Sequence, residues 1–278
     1  MHTPNYQAPL PAAIVIGAEL RAARLAARWG IRELARKAGL SPSLLCHWEL
    51  GSRIPTPDTA SYVFGLLRLP QGEASRLRSL AVHAHDTVYA EHRPTWSAHI
   101  ERVYERASSA VQGWSPSFVP LSLQEPSYTW DMLEYTTAPD NSPEARLFDL
   151  TAEPDVRQRD LPPEPEWLIG RRALCHPAIR RESSIAQHHR LLSYLTKPSS
   201  NLRIVDDAED LEGFTMYRQK KQLPTVALRH SGTTIFLVTE DAATVYNARF
   251  EHLAQRALSR AETCELITKQ LRELETSP

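Results

Sequence analysis

Apolar residues recur at helical spacing through the first third of the chain, and each run is bounded by a residue suited to stop or start a helix. Ile16, Leu20, Ala23 and Ala27 fall on one face of a helix predicted over Ile16–Trp29, with Arg21, Arg24 and Arg28 on others. From Ile31 to Ala38, Leu34 and Ala35 share a face, while Arg32, Arg36 and Lys37 point elsewhere. Gly39 is suited to the left-handed conformation that ends a helix. Ser41 then reads as an N-cap, with Pro42 at the first helical position, where its missing N–H costs nothing. That helix runs to about Leu50 and stops at Gly51. Leu45 and Trp48 face inward together, leaving Ser43, Leu44 and His47 outward. Thr56 caps a fourth helix from Pro57 to about Arg68, with Tyr62, Val63, Leu66 and Leu67 as its apolar side. After the Leu69–Gly72 turn, a fifth runs from Glu73 to about His85 with Leu77, Leu80 and Ala81 inward. Met1–Pro11 carries prolines and no period, so 1–11 reads as a disordered arm before a helical domain at 12–90.

Beyond it the period changes. After a break at Arg93–Trp96, His99–Val111 reads as a helix with Ile100, Val103, Tyr104 and Ala107 apolar. Trp114–Leu133, rich in proline and aromatics, reads as an extended segment leading to a short helix around Tyr128. Asp140–Pro165 reads as a loop or excursion. Glu166–Gly170, Leu202–Val205, Phe214–Tyr217, Thr225–Leu228 and Thr233–Thr239 read as strands. A helix starting at Ser183 or Ser184 separates the first two. Two more close the chain: Glu240–Leu258, with Val245, Phe250, Leu253 and Ala254 as core, and one capped by Ser259. The expected fold is an all-α domain of five helices followed, over 91–278, by an α+β domain with a small, mostly antiparallel sheet.

The second and third helices with their tight turn have the geometry of a helix-turn-helix, whose second helix enters the DNA major groove. The residues carry a resemblance as well. Arg32, Leu34-Ala35, Ala38-Gly39, Ser43 to Glu49, Gly51, Arg53 and Pro55 resemble the Cro/repressor-type (Xre-type) helix-turn-helix at fixed offsets. On this reading Ser43, Leu44 and His47 are candidates for base edges, Ser43 by hydrogen bond and Leu44 against a thymine methyl. Arg32, Arg36 and Arg53 are candidates for phosphate. Glu49 is a structural partner and Cys46 is packed. A lone motif of this type has a small interface, so two copies about one helical turn (~34 Å) apart are expected, as a homodimer on double-stranded DNA.

Charge supports this only when resolved along the chain. The whole carries −1, yet Ile16–Leu80 holds ten Lys/Arg against five acids, leaving 22 and 28 elsewhere. Positive charge is concentrated where the motif lies, as counterion release requires. Cys46, Cys175 and Cys264 cannot all pair and lack metal-ligand spacing, which fits a reducing cytoplasm. No apolar run is long enough for a membrane span, and no signal peptide is legible.

A second resemblance covers most of the remainder. Trp114-Ser115-Pro116, Val119-Pro120, Leu123-Gln124 and Tyr128 are similar to a run in antitoxin-like (WhiJ-like) actinobacterial regulators with a C-terminal effector domain. Leu121, Ser122 and Glu125 stand where that family has glycine, leucine and threonine. Arg157-Gln158 and Leu161 match a helix placed there, and Ala257–Ile267 matches its end. The resemblance implies that Trp114, Gln124 and Tyr128 belong to the effector function and that a small protein encoded nearby is a partner. Two alternatives follow: an antitoxin-like protein that autoregulates, or a regulator released from DNA by a metabolite bound near Trp114, Phe118, Tyr128 and Trp130. No enzyme, cofactor or metal is expected. The adjacent His188 and His189 point about 100° apart on a helix. Cys175-His176 lacks an orienting partner, and Lys220-Lys221 reads as a solvated hairpin tip.

Overall fold

Pro11, expected to end an arm, instead opens the first helix, α1 (Pro11–Ala26). Its first turns, Ala12, Ala13, Ile14, Val15 and Ile16, are all buried. A helix end that is apolar all round has no face for a periodic pattern to display, so the helix was legible only from Ile16 onward. The structure, a computed structural model, describes residues 9–92, 94–136, 166–206, 212–219, 222–230 and 233–276. Residues 1–8 of the expected arm lie outside them. Four helices follow: α2 (Ile31–Ala38), α3 (Pro42–Glu49), α4 (Pro57–Leu66) and α5 (Gln71–Val82). They close over one core of Ile16, Leu20, Leu34, Leu45, Trp48, Phe64 and Leu77. Tyr62, expected inward, is 53% exposed, and Phe64 takes its place at 1%.

Each of the first four helices ends on a residue with positive φ. Gly39 and Gly51 (both φ 67) do so after α2 and α3, and Arg28 (φ 58) and Arg68 (φ 56) after α1 and α4. In each case the next N–H reaches back five residues: Trp29 to Arg24 O, Leu40 to Ala35 O, Ser52 to His47 O and Leu69 to Phe64 O, at 2.9–3.2 Å. These bonds satisfy carbonyls that a helix end would otherwise leave orphaned. The glycine stops were legible. The arginine stops were not, because an L side chain is disfavoured there and nothing local announces it.

The chain divides into two compact units, Met1–Tyr89 and Ala90–Pro278. The second begins within β1 (Val88–Glu91), followed by α6 (Pro94–Ala107), β2 (Ala110–Ser115) and α7 (Pro126–Thr136). Next come β3 (Glu166–Gly170), α8 (Arg181–Leu195), β4 (Asn201–Val205), β5 (Phe214–Arg218), β6 (Thr225–His230) and β7 (Thr233–Leu237). Helices α9 (Glu240–Arg256) and α10 (Arg260–Thr276) end it. The fold is α+β around a seven-stranded, mostly antiparallel sheet of order β1-β7-β6-β5-β2-β3-β4. β5, β6 and β7 pair antiparallel and join β2 in the same sense, whereas β2-β3 and β3-β4 are parallel.

Several expectations are corrected. Ala110 and Val111, expected to end a helix, instead open the central strand Ala110–Ser115. Helix α8 begins at Arg181, so Ser183 and Ser184 lie buried in its first turn rather than capping it. Val245 is 51% exposed, and Tyr246 faces the core instead. The excursion at 140–165, the Arg157–Leu161 match and Lys220-Lys221 lie outside the described residues.

Helices α8 and α10 hold one another by their ends. Arg181 Nε donates to Leu274 O (2.7 Å) at the end of α10. Arg260, at the start of α10, donates to the carbonyls of Leu195 at the end of α8 and of Lys197 (2.9 Å) and Ser200 (3.2 Å) just beyond it. A cation on terminal carbonyls also meets the negative end of the helix dipole. Ser259 and Glu262 form a reciprocal cap: Glu262 N donates to Ser259 Oγ (3.3 Å) and Ser259 N to Glu262 Oε2 (2.8 Å). The outer edge of β4 is covered, since Leu258 N donates to Ile204 O (2.8 Å) and Ile204 N to Thr263 Oγ1 (3.2 Å).

Candidate nucleic-acid interface

Helix α3 is nucleated by Ser41, whose Oγ accepts from Leu44 N at 3.2 Å. Leu45 (0% exposed) and Trp48 (5%) anchor its inner face in the bundle core. Its end is seated closely on α1: a Cβ on Gly17 would stand 2.3 Å from Trp48 O, so only glycine allows this approach. Glu49 fixes the rotation. It accepts from Arg24 Nε at 2.6 Å and from Arg24 Nη2 at 2.9 Å, while Arg24 Nη1 donates to Trp29 O at 2.9 Å. Both side chains are nearly buried, at 10% and 8% exposed. The carboxylate raises the Arg24 pKa above its ordinary value, outweighing burial. Glu49 thus ties α3 to α1.

With that face fixed, Ser43 and His47 are exposed on the opposite side of α3. Leu44 is half-buried and packs on the bundle core, so it offers an edge rather than a whole side chain. Cys46, expected to be packed, is exposed. Its neighbours Leu45 and Trp48 fill the inward stripe, which leaves Cys46 on the outer face with His47. His47 is not free to rotate: its Nδ1 lies 3.0 Å from Ser52 Oγ. Ser52 escaped the sequence reading because it is polar and lies beyond the helix; only the left-handed Gly51 brings it back onto His47.

The surrounding charge is partitioned by ion pairs. Arg24 is consumed by Glu49, Arg76 by Glu19 (2.7 Å) and Glu73 (2.5 Å), and Arg78 lies 3.4 Å from Asp58. Lys37 Nζ sits 4.6 Å over the Trp29 ring. Four of the five acids between Ile16 and Leu80 are therefore engaged with three of the ten cations. Arg21, Arg28, Arg32, Arg36, Arg53 and Arg68 are exposed and in no ion pair among the described residues. Arg32 and Arg36 stand one turn apart on α2, and Arg53 follows the Gly51 turn. Arg32 lies in the first turn of α2, where no side chain caps Gly30 and no acid but Glu33 offsets the positive end of the helix dipole. Such an arrangement attracts an anion.

The effector candidates are placed differently. Trp114 (2% exposed), Gln124 (7%) and Tyr128 (2%) are buried. Gln124 Nε2 donates to Val119 O (2.7 Å), and its Oε1 accepts from Thr129 Oγ1 (2.9 Å). Tyr128 OH accepts from Val119 N (3.2 Å) and donates to Ala173 O (3.3 Å), and burial pushes its pKa up to about 12. Gln187 on α8 takes the next turn, donating to Leu123 O (2.9 Å) and accepting from Glu125 N (2.7 Å). These side chains clip the segment 116–125 to the domain. Trp114 joins the sheet core with Leu168 and Phe214, while Phe118 packs on His176 with ring centroids 4.4 Å apart. Glu125, which replaces the threonine of the resemblance, lies 3.6 Å from Arg190. Trp130 Nε1 donates to Glu134 (3.1 Å).

His188 is buried and its Nδ1 donates to Ser184 O (2.7 Å), whereas His189 is exposed and 3.6 Å from Glu275. Cys175 Sγ lies 3.7 Å from Arg171 O, and His176 Nδ1 accepts from Ala178 N (3.2 Å). Among the described residues no three His, Cys, Asp or Glu gather to hold a metal, and no helix is long and apolar enough to cross a membrane.

Comparison with known proteins agrees with this division. Residues 15–77 match a helix-turn-helix domain, and residues 102–269 match a domain of unknown function, DUF5753. No curated protein and no solved structure matches the chain. With more than half its length in that second match, the chain belongs to the DUF5753 family, carrying a helix-turn-helix domain in front of it.

Proposed function

We propose that this chain is a sequence-specific transcriptional regulator of the Cro/repressor (Xre) type that binds double-stranded DNA as a homodimer. One observation carries the reading. The inner face of α3 and its Glu49 are fully engaged, while Ser43 and His47 are exposed, with Arg32, Arg36 and Arg53 on the flanking elements in no ion pair among the described residues. The exposed side chains have the chemistry to read base edges, and the arginines the chemistry to hold phosphates without reading sequence. Leu44 contributes a partial apolar edge. No catalytic role is assigned.

In the antitoxin-like reading, the second unit receives a protein signal. The burial of Trp114 and Tyr128 counts against a metabolite there, because two of the four aromatics that would have lined a small-molecule pocket are consumed in packing and backbone bonds. Selection of genomic fragments by the purified chain at physiological salt tests the DNA reading. An inverted repeat with half-sites about one helical turn apart is expected. Enrichment no greater than background would reject it.

A further inference from the structure

We infer that Ser52 is a specificity-determining residue: it holds His47 with Nε2–H directed outward as a donor, which selects a base presenting an acceptor in the major groove, guanine above all. This rests on the assignment of His47 to base reading and specifies its sign.

The argument is one of proton accounting. Gly51 at φ 67 turns the chain so that Ser52 N (3.0 Å) and Arg53 N (3.2 Å) both donate to His47 O. The two lone pairs of that carbonyl are then occupied. Ser52 Oγ is placed to donate its one proton either to that same oxygen, at 3.1 Å, or to His47 Nδ1, at 3.0 Å. Its single proton is better used on Nδ1, the acceptor with no other donor among the described residues. A neutral imidazole that accepts at Nδ1 carries its hydrogen on Nε2. The bond also fixes which ring edge faces out. Guanine offers N7 and O6 side by side, adenine N7 and thymine O4 offer one acceptor each, and the cytosine N4 amino group offers only a donor. A donor at His47 therefore ranks guanine first and cytosine last. Ser52 touches no base in this scheme and acts through His47.

Two measurements on the full chain test it. In two-bond ¹H–¹⁵N spectra at pH 8, with the His47 signals assigned by their absence in His47→Gln, Nδ1 is expected to be the unprotonated, hydrogen-bonded nitrogen. Ser52→Ala should move that resonance toward its unbonded position, and Ser52→Thr should restore it. A proton on Nδ1 in the wild-type chain would overturn the inference without reference to DNA. In half-site selection at the same pH, His47→Ala should relax one position that prefers guanine. Ser52→Ala should lose about tenfold of the preference there, and Ser52→Thr should recover it. Wild-type preference retained in Ser52→Ala, at a position that His47→Ala relaxes, overturns the inference and leaves the base reading intact. If His47→Ala relaxes no position, the base-reading role of His47 fails and the inference with it. Ser52 is exposed and its backbone bond survives truncation, so unfolding is not expected to obscure either result.

Discussion

Ser43 and His47 share an exposed face of α3, and Arg53 follows it on the turn; in the proposed function the first two take base edges and the third a phosphate, a division that can be measured. Replacing Ser43 and His47 together with alanine should lower affinity for the selected site far more than for random DNA, since base contacts are lost and phosphate contacts kept. Equal losses on both would remove the pair from sequence reading. Arg53→Ala should instead weaken all binding and reduce the slope of log affinity against log salt by about 0.9, the share of one phosphate contact. An unchanged slope would exclude that contact. Glu49 is a different case, because its carboxylate meets Arg24 where both are nearly dry. Glu49→Ala strands a buried guanidinium and should cost about 3–5 kcal/mol, read by denaturant unfolding. A loss below about 1 kcal/mol would mean that water reaches Arg24. Glu49 was legible as a structural partner. Its mate was not, because Arg24 sits twenty-five positions earlier and looked like one more surface arginine.

Helix boundaries were read well where chemistry is local and poorly where it is not. Gly39 and Gly51 announce their stops, whereas Arg28 and Arg68 adopt the same left-handed geometry without announcing it. Arg68→Gly should therefore raise stability by about 1 kcal/mol, the strain of an L residue at positive φ, seen as a higher melting temperature. A drop would show that the Arg68 side chain contributes more than its backbone costs. The helical reading of 110–111 has a comparable origin. Val111 continues the helical stripe of Ile100, Tyr104 and Ala107, so the local pattern could not arbitrate. What decides it is pairing: Val111 lies opposite Tyr217, and Gly113 opposite both Trp167 and Thr215. The parallel β2-β3-β4 arrangement was equally invisible, since its strands meet only after long excursions of chain.

The two units differ in how their cores are assembled. The first draws its buried cluster from Ala12 to Ala84, every member lying within Met1–Tyr89. A fragment 1–89 should accordingly unfold cooperatively as a helical domain and bind DNA. Its affinity should fall below that of the full chain if the second unit supplies the dimer contact. Gradual, non-cooperative loss of helix on heating would show that this core is insufficient alone. Charge tells the same story of division. Near-neutrality conceals a basic first unit, and ion pairing leaves its surplus on exposed arginines.

By itself the sequence determined what depends on neighbours a few positions apart: the helix-turn-helix, its caps at Ser41 and Thr56, its glycine stops, the outward placement of Ser43 and His47, and most strands of the second unit. Those features follow from local periodicity, capping and turn chemistry. Only the tertiary structure decided which arginine neutralises Glu49, that Ser52 folds back on His47, and that Trp114, Gln124 and Tyr128 are turned inward. Each of these depends on where a distant or turned-back segment lands. Polarity along the chain records which side chains favour water, not which partner they find once folded.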